Sequence, residues 1–174
     1  MPNAGLSVLE AMVVDDDAAI CELIAEHLRV RGLAVTTARD GRAAVTALSR
    51  SGGCYGLVLT DISMPGADGF EVLRAARSAN PSALVVVITG YASLDSAIQA
   101  VRLGAHDYLT KPFTLGQIDV ILRNISERLA LERENRDLAA RAATVSLPMR
   151  ETMLAAIERR LARIEALLAG DRAG

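Results

Sequence analysis

A parallel α/β fold is the class this sequence predicts, and three observations carry the prediction. Short apolar segments with strand character alternate strictly with segments of helical periodicity over most of the chain. The run Val85-Val86-Val87-Ile88 lacks polar alternation, as a strand covered on both faces requires. Acidic, hydroxyl and ammonium side chains stand just past the ends of the apolar segments, where open α/β sheets bind their ligands.

Each element has its own signal. Leu9 to Val14 reads as a first strand. Ala18 to Arg31 carries Ile20, Leu23, Ile24 and Leu28 at helical spacing and stops at Gly32. Leu33 to Ala38 is a second strand, and Asp40 to Ser49 a helix closed by Ser51-Gly52-Gly53. Tyr55 to Thr60 is a third strand, followed by a helix over Phe70 to Ser78. Leu84 to Thr89 is the fourth strand, and Ser93 to Leu103 a helix ended by Gly104. His106 to Thr110 is the fifth strand, and a last helix starts near Thr114. Right-handed crossovers between such units give a flavodoxin-like (βα)5 sheet in order 2-1-3-4-5.

Composition narrows the function classes. The chain has 174 residues, 51% of them hydrophobic, enough for one cored domain plus an appendage. A formal net charge of −2 offers no global basic character for nucleic acid. No apolar run of membrane-spanning length and no signal-peptide pattern stand out, so a soluble, cytoplasmic protein is expected. Cys21 and Cys54 are too few for a disulfide framework or zinc site and are expected to be structural thiols.

Past the strand ends stand Asp15, Asp16 and Asp17, then Asp61, Thr89 and Lys111. In order 2-1-3-4-5, strands one, three, four and five lie side by side, so these groups converge on one patch. Clustered carboxylates repel unless a cation intervenes, and hard oxygen ligands suit magnesium. A helix N-cap accounts for one of the three adjacent acids, Asp17, and leaves two. Lys111 is the lone lysine among nineteen basic residues. An ammonium is a compact point charge where a guanidinium is a wide planar fork, so a tight phosphoryl or carboxylate pocket favours lysine. Pro112 after Lys111 suggests a turn with a cis peptide bond.

The segments Val13-Val14-Asp15-Asp16-Asp17, Leu59-Thr60-Asp61-Ile62-Ser63-Met64-Pro65-Gly66, Asp68-Gly69, Ile88-Thr89-Gly90-Tyr91 and Asp107-Tyr108-Leu109-Thr110-Lys111-Pro112-Phe113 carry a resemblance. Over about residues 8 to 126 the chain strongly resembles the receiver domain of bacterial two-component response regulators. The stretch Thr89 to Phe113 looks most like receivers of the sigma-54-activator class. The resemblance implies that Asp61 accepts a phosphoryl group from a phosphohistidine. It implies Mg²⁺ held directly by Asp16 and Asp61, through water by Asp15, and by the backbone carbonyl of Ser63. Thr89 and Lys111 would hold phosphoryl oxygens, and Gly90 would keep the space beside them open. Tyr108 would be the switch aromatic that turns inward with Thr89, reshaping the face of helix four, strand five and helix five. Ser63 and Tyr91 occupy positions that tune dephosphorylation in the family.

Other residues read more plainly. His27 lies mid-helix and is expected to face solvent, and His106 at a strand start is expected on the surface. Met64-Pro65-Gly66 is a turn that shapes the loop carrying the Ser63 carbonyl.

The division expected is a receiver over 1–126 and a helical extension over 127–174. Ile118, Leu122, Ile125 and Leu129 should face the receiver core, after which the stripe shifts to Leu131, Asn135, Leu138, Ala142 and Val145. Ser146-Leu147-Pro148 should break the helix. Leu154, Ile157, Leu161, Ile164 and Leu168 then follow a heptad seam. A helical hairpin or coiled-coil tail is therefore expected, with Asn135 able to set register in a homodimer. From Val120 onward, ten arginines against eight acids read as a solvated helix surface.

The sequence thus predicts a phosphorylation-controlled switch and not an enzyme, beyond Mg²⁺-dependent self-phosphorylation and slow autodephosphorylation. Its expected partners are a sensor histidine kinase or phosphotransfer protein, a second copy and a downstream protein, with no direct nucleic-acid or membrane contact. A haloacid-dehalogenase-type phosphatase is a rival, since Asp15, Asp17, Thr89 and Lys111 imitate its motifs. It fails at Ala19, lacks an acidic pair after Lys111 and gives Asp61 no role. A coiled-coil adaptor with a silent receiver is a further alternative, disfavoured by the intact acidic site.

Overall fold

The computed structural model describes the backbone of residues 9–170 and the side chains of residues 9–141, 152 and 154–161. The chain divides into two units, Met1–Leu129 and Ala130–Gly174. In the first, β1 (Glu10–Val14), α1 (Ala18–Val30), β2 (Ala34–Ala38), α2 (Gly41–Arg50), β3 (Tyr55–Asp61), α3 (Gly69–Ala79), β4 (Leu84–Thr89), α4 (Leu94–Arg102) and β5 (Asp107–Thr110) alternate. The last helix, α5 (Leu115–Gly170), begins in this unit. The sheet order is β2-β1-β3-β4-β5 with every pairing parallel, as expected.

Strand alternation sends successive side chains to opposite faces, so the sheet has two cores. Ala11, Val13, Leu57, Leu59, Val86 and Ile88 meet Ile24, Ala25 and Leu28 of α1 and Ile118, Ile121, Leu122 and Ile125 of α5. Met12, Val14, Val58, Val85 and Val87 meet Ala44 and Leu48 of α2, Val72, Leu73 and Ala76 of α3 and Ala100 of α4. Each fully buried Leu or Ile contributes about 1.5–3 kcal/mol through removal of apolar surface from water. Ile118, Leu122 and Ile125 are buried as their spacing predicts, and Leu129 packs partly buried at the edge of the same core.

Close backbone approach locks the loop after β3. A Cβ on Gly69 would collide with the carbonyl of Asp61, and one on Gly41 would collide with the carbonyl of Ala67. Only glycine lets α2 and α3 begin so close to the loop that carries Asp61 and Ser63.

Beyond Leu129 one expectation is corrected. The helix does not break at Ser146-Leu147-Pro148, because α5 runs from Leu115 to Gly170. A helical proline forfeits one backbone hydrogen bond and costs about 3 kcal/mol. Good helix formers flank it, including Ala142, Ala143, Leu147, Met149 and Arg150. The extension is thus a helix and not a hairpin. Leu131, Leu138, Leu154, Ile157 and Leu161 are exposed on it. The side chains of Ala142, Val145, Ile164 and Leu168 lie outside the described residues.

Candidate functional site

The carboxyl ends of β1, β3, β4 and β5 form the site. Asp15 follows β1 directly, and parallel pairing sets Val14 beside Thr60, with Asp61 next in line. The pairing of β3 with β4 puts Asp61 beside Ile88, immediately before Thr89. Thr89 pairs with Thr110, so Lys111 is the next residue along β5's path, and its N–H donates to the Thr89 carbonyl at 2.8 Å. The Lys111–Pro112 peptide bond is cis, as the sequence suggests.

Three acids come together. Asp15, Asp16 and Asp61 each offer a carboxylate oxygen, all within 4.8 Å of one another. Asp15 and Asp61 are buried, and Asp16 is exposed. Asp17 stands apart as the α1 N-cap, accepting from the N–H groups of Ala19 at 2.8 Å and Ile20 at 3.2 Å. That division of labour among adjacent acids matches the expectation from capping chemistry.

Lys111 Nζ donates to Asp15 Oδ2 at 2.7 Å and to Asp61 Oδ2 at 2.6 Å. The remaining oxygens are held by the backbone. Asp15 Oδ1 accepts from the Asp17 N–H at 3.0 Å, and Asp61 Oδ1 accepts from the Ser63 N–H at 3.1 Å. Burial pushes the Asp15 carboxyl above its ordinary range, against the lowering effect of its hydrogen bond from Lys111. Burial acts to lower the Lys111 ammonium, but its bonds to Asp15 and Asp61 outweigh that and leave it raised. One ammonium thus serves two buried carboxylates, with the third acid beside them in solvent. This donor set is all hard oxygen and, with three carboxylates against one ammonium, two positive charges short, which fits a divalent cation such as Mg²⁺.

Thr89 is fully buried, and its hydroxyl oxygen accepts from the Tyr91 N–H at 3.2 Å. Gly90 is open, since a Cβ there would make only ordinary contact with Lys111. Tyr108 is half-buried against the core shared with α2, α3 and α4, and its hydroxyl lies 2.9 Å from Ser96 Oγ. Ser63 and Tyr91 are exposed at the rim.

Several expectations are corrected. His27 does not face solvent: its side chain is 11% exposed, and Nε2 lies 2.9 Å from Asp119 Oδ1 on α5. Arg31 joins the same carboxylate at 2.5 Å, so the three form a bridge between α1 and α5. His106 is half-buried, and its imidazole is held below its ordinary pKa by burial and by Arg128. Cys21 is buried as expected, with a thiol raised by burial, but Cys54 is exposed. Ser96 escaped sequence reading altogether. Its signal was the Ser93-Leu94-Asp95-Ser96 spacing of a capping box, which points to a helix start and says nothing of Tyr108.

The acid cluster of Asp15, Asp16 and Asp61, the lone lysine and the buried threonine at the ends of four parallel strands are the features of a receiver. Residues 11–123 match the family model described as the response regulator receiver domain, and the chain belongs to that family. It is 32% identical over 139 residues to the C4-dicarboxylate transport transcriptional regulatory protein DctD of Rhizobium meliloti, covering 79% of this chain and 30% of that protein. DctD is a sigma-54-type response regulator, in line with the class suggested by Thr89 to Phe113. The chain thus spans about three tenths of that relative's length. Among solved structures, a CheY-like receiver from Methanospirillum hungatei superposes with a TM-score of 0.66 at 26% identity, covering 72% of this chain and 98% of that one. A response regulator from Burkholderia pseudomallei, solved with a phosphorylated aspartic acid, calcium ion and citrate, superposes with a TM-score of 0.61 at 27% identity, covering 72% of each chain.

Family membership displaces the phosphatase alternative, because receivers are phosphoryl-accepting switches. The expected absence of nucleic-acid contact is not supported, since the DctD relative is named a transcriptional regulatory protein. Among the described residues, no helix is long and apolar enough to cross a membrane.

Proposed function

We propose that this chain is a cytoplasmic signalling switch that takes a phosphoryl group from a sensor histidine kinase or phosphotransfer protein onto Asp61. The observation that carries the proposal is the placement of Asp61: a buried carboxylate held from both sides, by the Lys111 ammonium and the Ser63 N–H. A carboxylate so fixed is an oriented nucleophile. In the transfer, an Asp61 oxygen bonds to phosphorus as the phosphorus–imidazole nitrogen bond breaks, and the electron pair returns to the imidazole. Lys111 neutralises the charge on the phosphoryl oxygens, and Thr89 donates its hydroxyl to one of them. Asp16, Asp61 and the Ser63 carbonyl would hold Mg²⁺ directly, and Asp15 through water. When bound, that ion would supply further positive charge to the transferring group. The phosphorylated aspartate and calcium ion of the Burkholderia relative support this use of the site.

The signal leaves through protein contacts. Thr89 and Tyr108 act as the switch, changing the face made by α4, β5 and α5. Residues 1–126 serve as receiver and 127–174 as the extension that contacts a second copy or a downstream protein. The exposed Leu131 and Leu138, and Leu154, Ile157 and Leu161 further along, support a dimeric coiled coil, because a helix with uncovered leucines gains by pairing. Slow self-dephosphorylation limits the lifetime of the signal.

The test is incubation with acetyl phosphate and Mg²⁺, followed by trapping of the acyl phosphate and mapping of the modified residue. Label on Asp61 is the expected result. Label on Asp15, or none in the presence of Mg²⁺, rejects the assignment.

A further inference from the structure

We infer that Ser96 is a positioning residue that holds the switch tyrosine, Tyr108, in its resting orientation by a hydroxyl latch to the first turn of α4. The inference rests on the reading of Asp61 as phosphoryl acceptor and Tyr108 as switch, and it adds the group that sets their resting balance.

Hydrogen-bond capacity shows how the latch is wired. Ser96 Oγ is 2.9 Å from the Ser93 carbonyl, to which it donates its one proton. It accepts from the Ser93 N–H at 3.0 Å, completing the capping box in which Ser93 Oγ accepts from the Ser96 N–H at 3.0 Å. Ser93 Oγ also lies 3.0 Å from Ser96 Oγ, so the Ser93 and Tyr108 hydroxyls both face the second of its two acceptor lone pairs. The Tyr108 hydroxyl is the nearer of the two, at 2.9 Å, and bonds to Ser96 Oγ. The bonds to Ser93 fix the Ser96 rotamer within the helix cap, independently of Tyr108. A partner fixed in this way imposes its position on the tyrosine. Alanine at this position would leave the ring half-buried with its hydroxyl free to turn elsewhere.

The second switch residue is tied to the same stretch of chain. The Thr89 hydroxyl oxygen accepts from the Tyr91 N–H at 3.2 Å, two residues ahead of the Ser93 cap. In this structure, then, both hydroxyls are bonded within the β4–α4 connection and the first turn of α4. Movement of Thr89 toward a phosphoryl oxygen gives up the Tyr91 bond. Inward rotation of Tyr108 gives up the Ser96 bond. Both losses fall on the segment that leads into the exposed Leu94, Ile98 and Val101 of α4, so the state of the latch reaches that surface directly.

A latch of one hydrogen bond biases the two orientations by about two- to tenfold. Its removal favours the activated form by the same factor. The experiment is a double-mutant cycle on beryllofluoride binding in Mg²⁺, followed by ¹⁹F NMR of the bound anion, in wild type, Ser96→Ala, Tyr108→Phe and the double variant. The latch predicts that Ser96→Ala tightens binding about two- to tenfold when Tyr108 is present and changes nothing when combined with Tyr108→Phe. Ser96→Thr, which keeps the hydroxyl, restores wild-type binding. Equal effects of Ser96→Ala with and without the tyrosine hydroxyl mean that Ser96 only caps α4, and they overturn the latch, as does no effect in either case. If wild type itself binds no beryllofluoride, the acceptor reading fails and the latch falls with it. Those two failures are distinguished by the wild-type titration alone.

Discussion

Lys111 Nζ sits 2.6 Å from Asp61 Oδ2, close enough that the ammonium serves as the carboxylate's resident cation. The same nitrogen reaches Asp15 Oδ2 at 2.7 Å, so a single point charge spans two buried acids that lie at the ends of two different strands. A lysine can do this because its three donors radiate from one atom, whereas a guanidinium spreads its donors across a plane.

Lys111→Arg should therefore fold and still fail as a switch. The wider head cannot place one donor between Asp15 and Asp61 without displacing one of them. The expected result is loss of phosphorylation-linked change in hydrogen exchange around Tyr108, with thermal stability near that of wild type. A Lys111→Arg protein that accepts phosphate and switches normally would show that charge alone matters at this position.

Asp16→Ala should weaken Mg²⁺ binding by about tenfold or more, because it removes the exposed anionic ligand beside two that are already shared with Lys111. Calorimetric titration with Mg²⁺ checks this, and an unchanged affinity counts against the cation site. In the metal-free protein the cost of a buried charge falls on Asp15, whose carboxyl burial pushes up. An acid raised on folding stabilises most below its ordinary pKa of 3.8, and that contribution is lost as pH rises through the raised value. Asp15→Asn should accordingly flatten the decline in metal-free stability between acid and neutral pH, read by urea unfolding at a series of pH values.

His106 gives a second pH dependence, of opposite sign. Its folded pKa lies below the ordinary 6.5 because of burial, with Arg128 adding to the effect. The unfolded chain then binds the proton more tightly, so stability holds above pH 6.5 and falls as pH drops through the lowered value. His106→Gln should remove that part of the acid sensitivity. A variant whose stability falls in parallel with wild type from about pH 7 to about pH 5 would show that His106 carries none of it.

Gly69→Ala should be among the most damaging single changes, since its Cβ would meet the Asp61 carbonyl and force the β3–α3 loop outward. Loss of Mg²⁺-dependent acceptance by Asp61, or of folding itself, is expected, measured by label incorporation and circular dichroism. Wild-type acceptance in a folded variant would mean that the loop has room that the backbone contact denies.

The sheet and the acidic cleft were legible in the sequence because their signals are local. Apolar runs of strand length, glycine stops and an acid or hydroxyl just past each run fix β1, β3, β4 and β5, and with them Asp15, Asp61, Thr89 and Lys111. What stayed hidden depends on partners distant in the chain. His27 reads as a mid-helix polar residue, and nothing near it announces Asp119, 92 positions away. Ser96 reads as a cap, and its bond to Tyr108 follows only from the crossover that lays α4 against β5. Pro148 misled for another reason. Local propensity opposes helix there, but good helix formers on both sides carry α5 through.

The most direct test of the central claim compares wild type with Asp61→Asn during incubation with acetyl phosphate and Mg²⁺, by intact-protein mass spectrometry and hydroxylamine sensitivity. Wild type should gain one hydroxylamine-sensitive phosphoryl group, and Asp61→Asn none. Stoichiometric, hydroxylamine-sensitive label on Asp61→Asn would contradict the assignment of Asp61 as the acceptor.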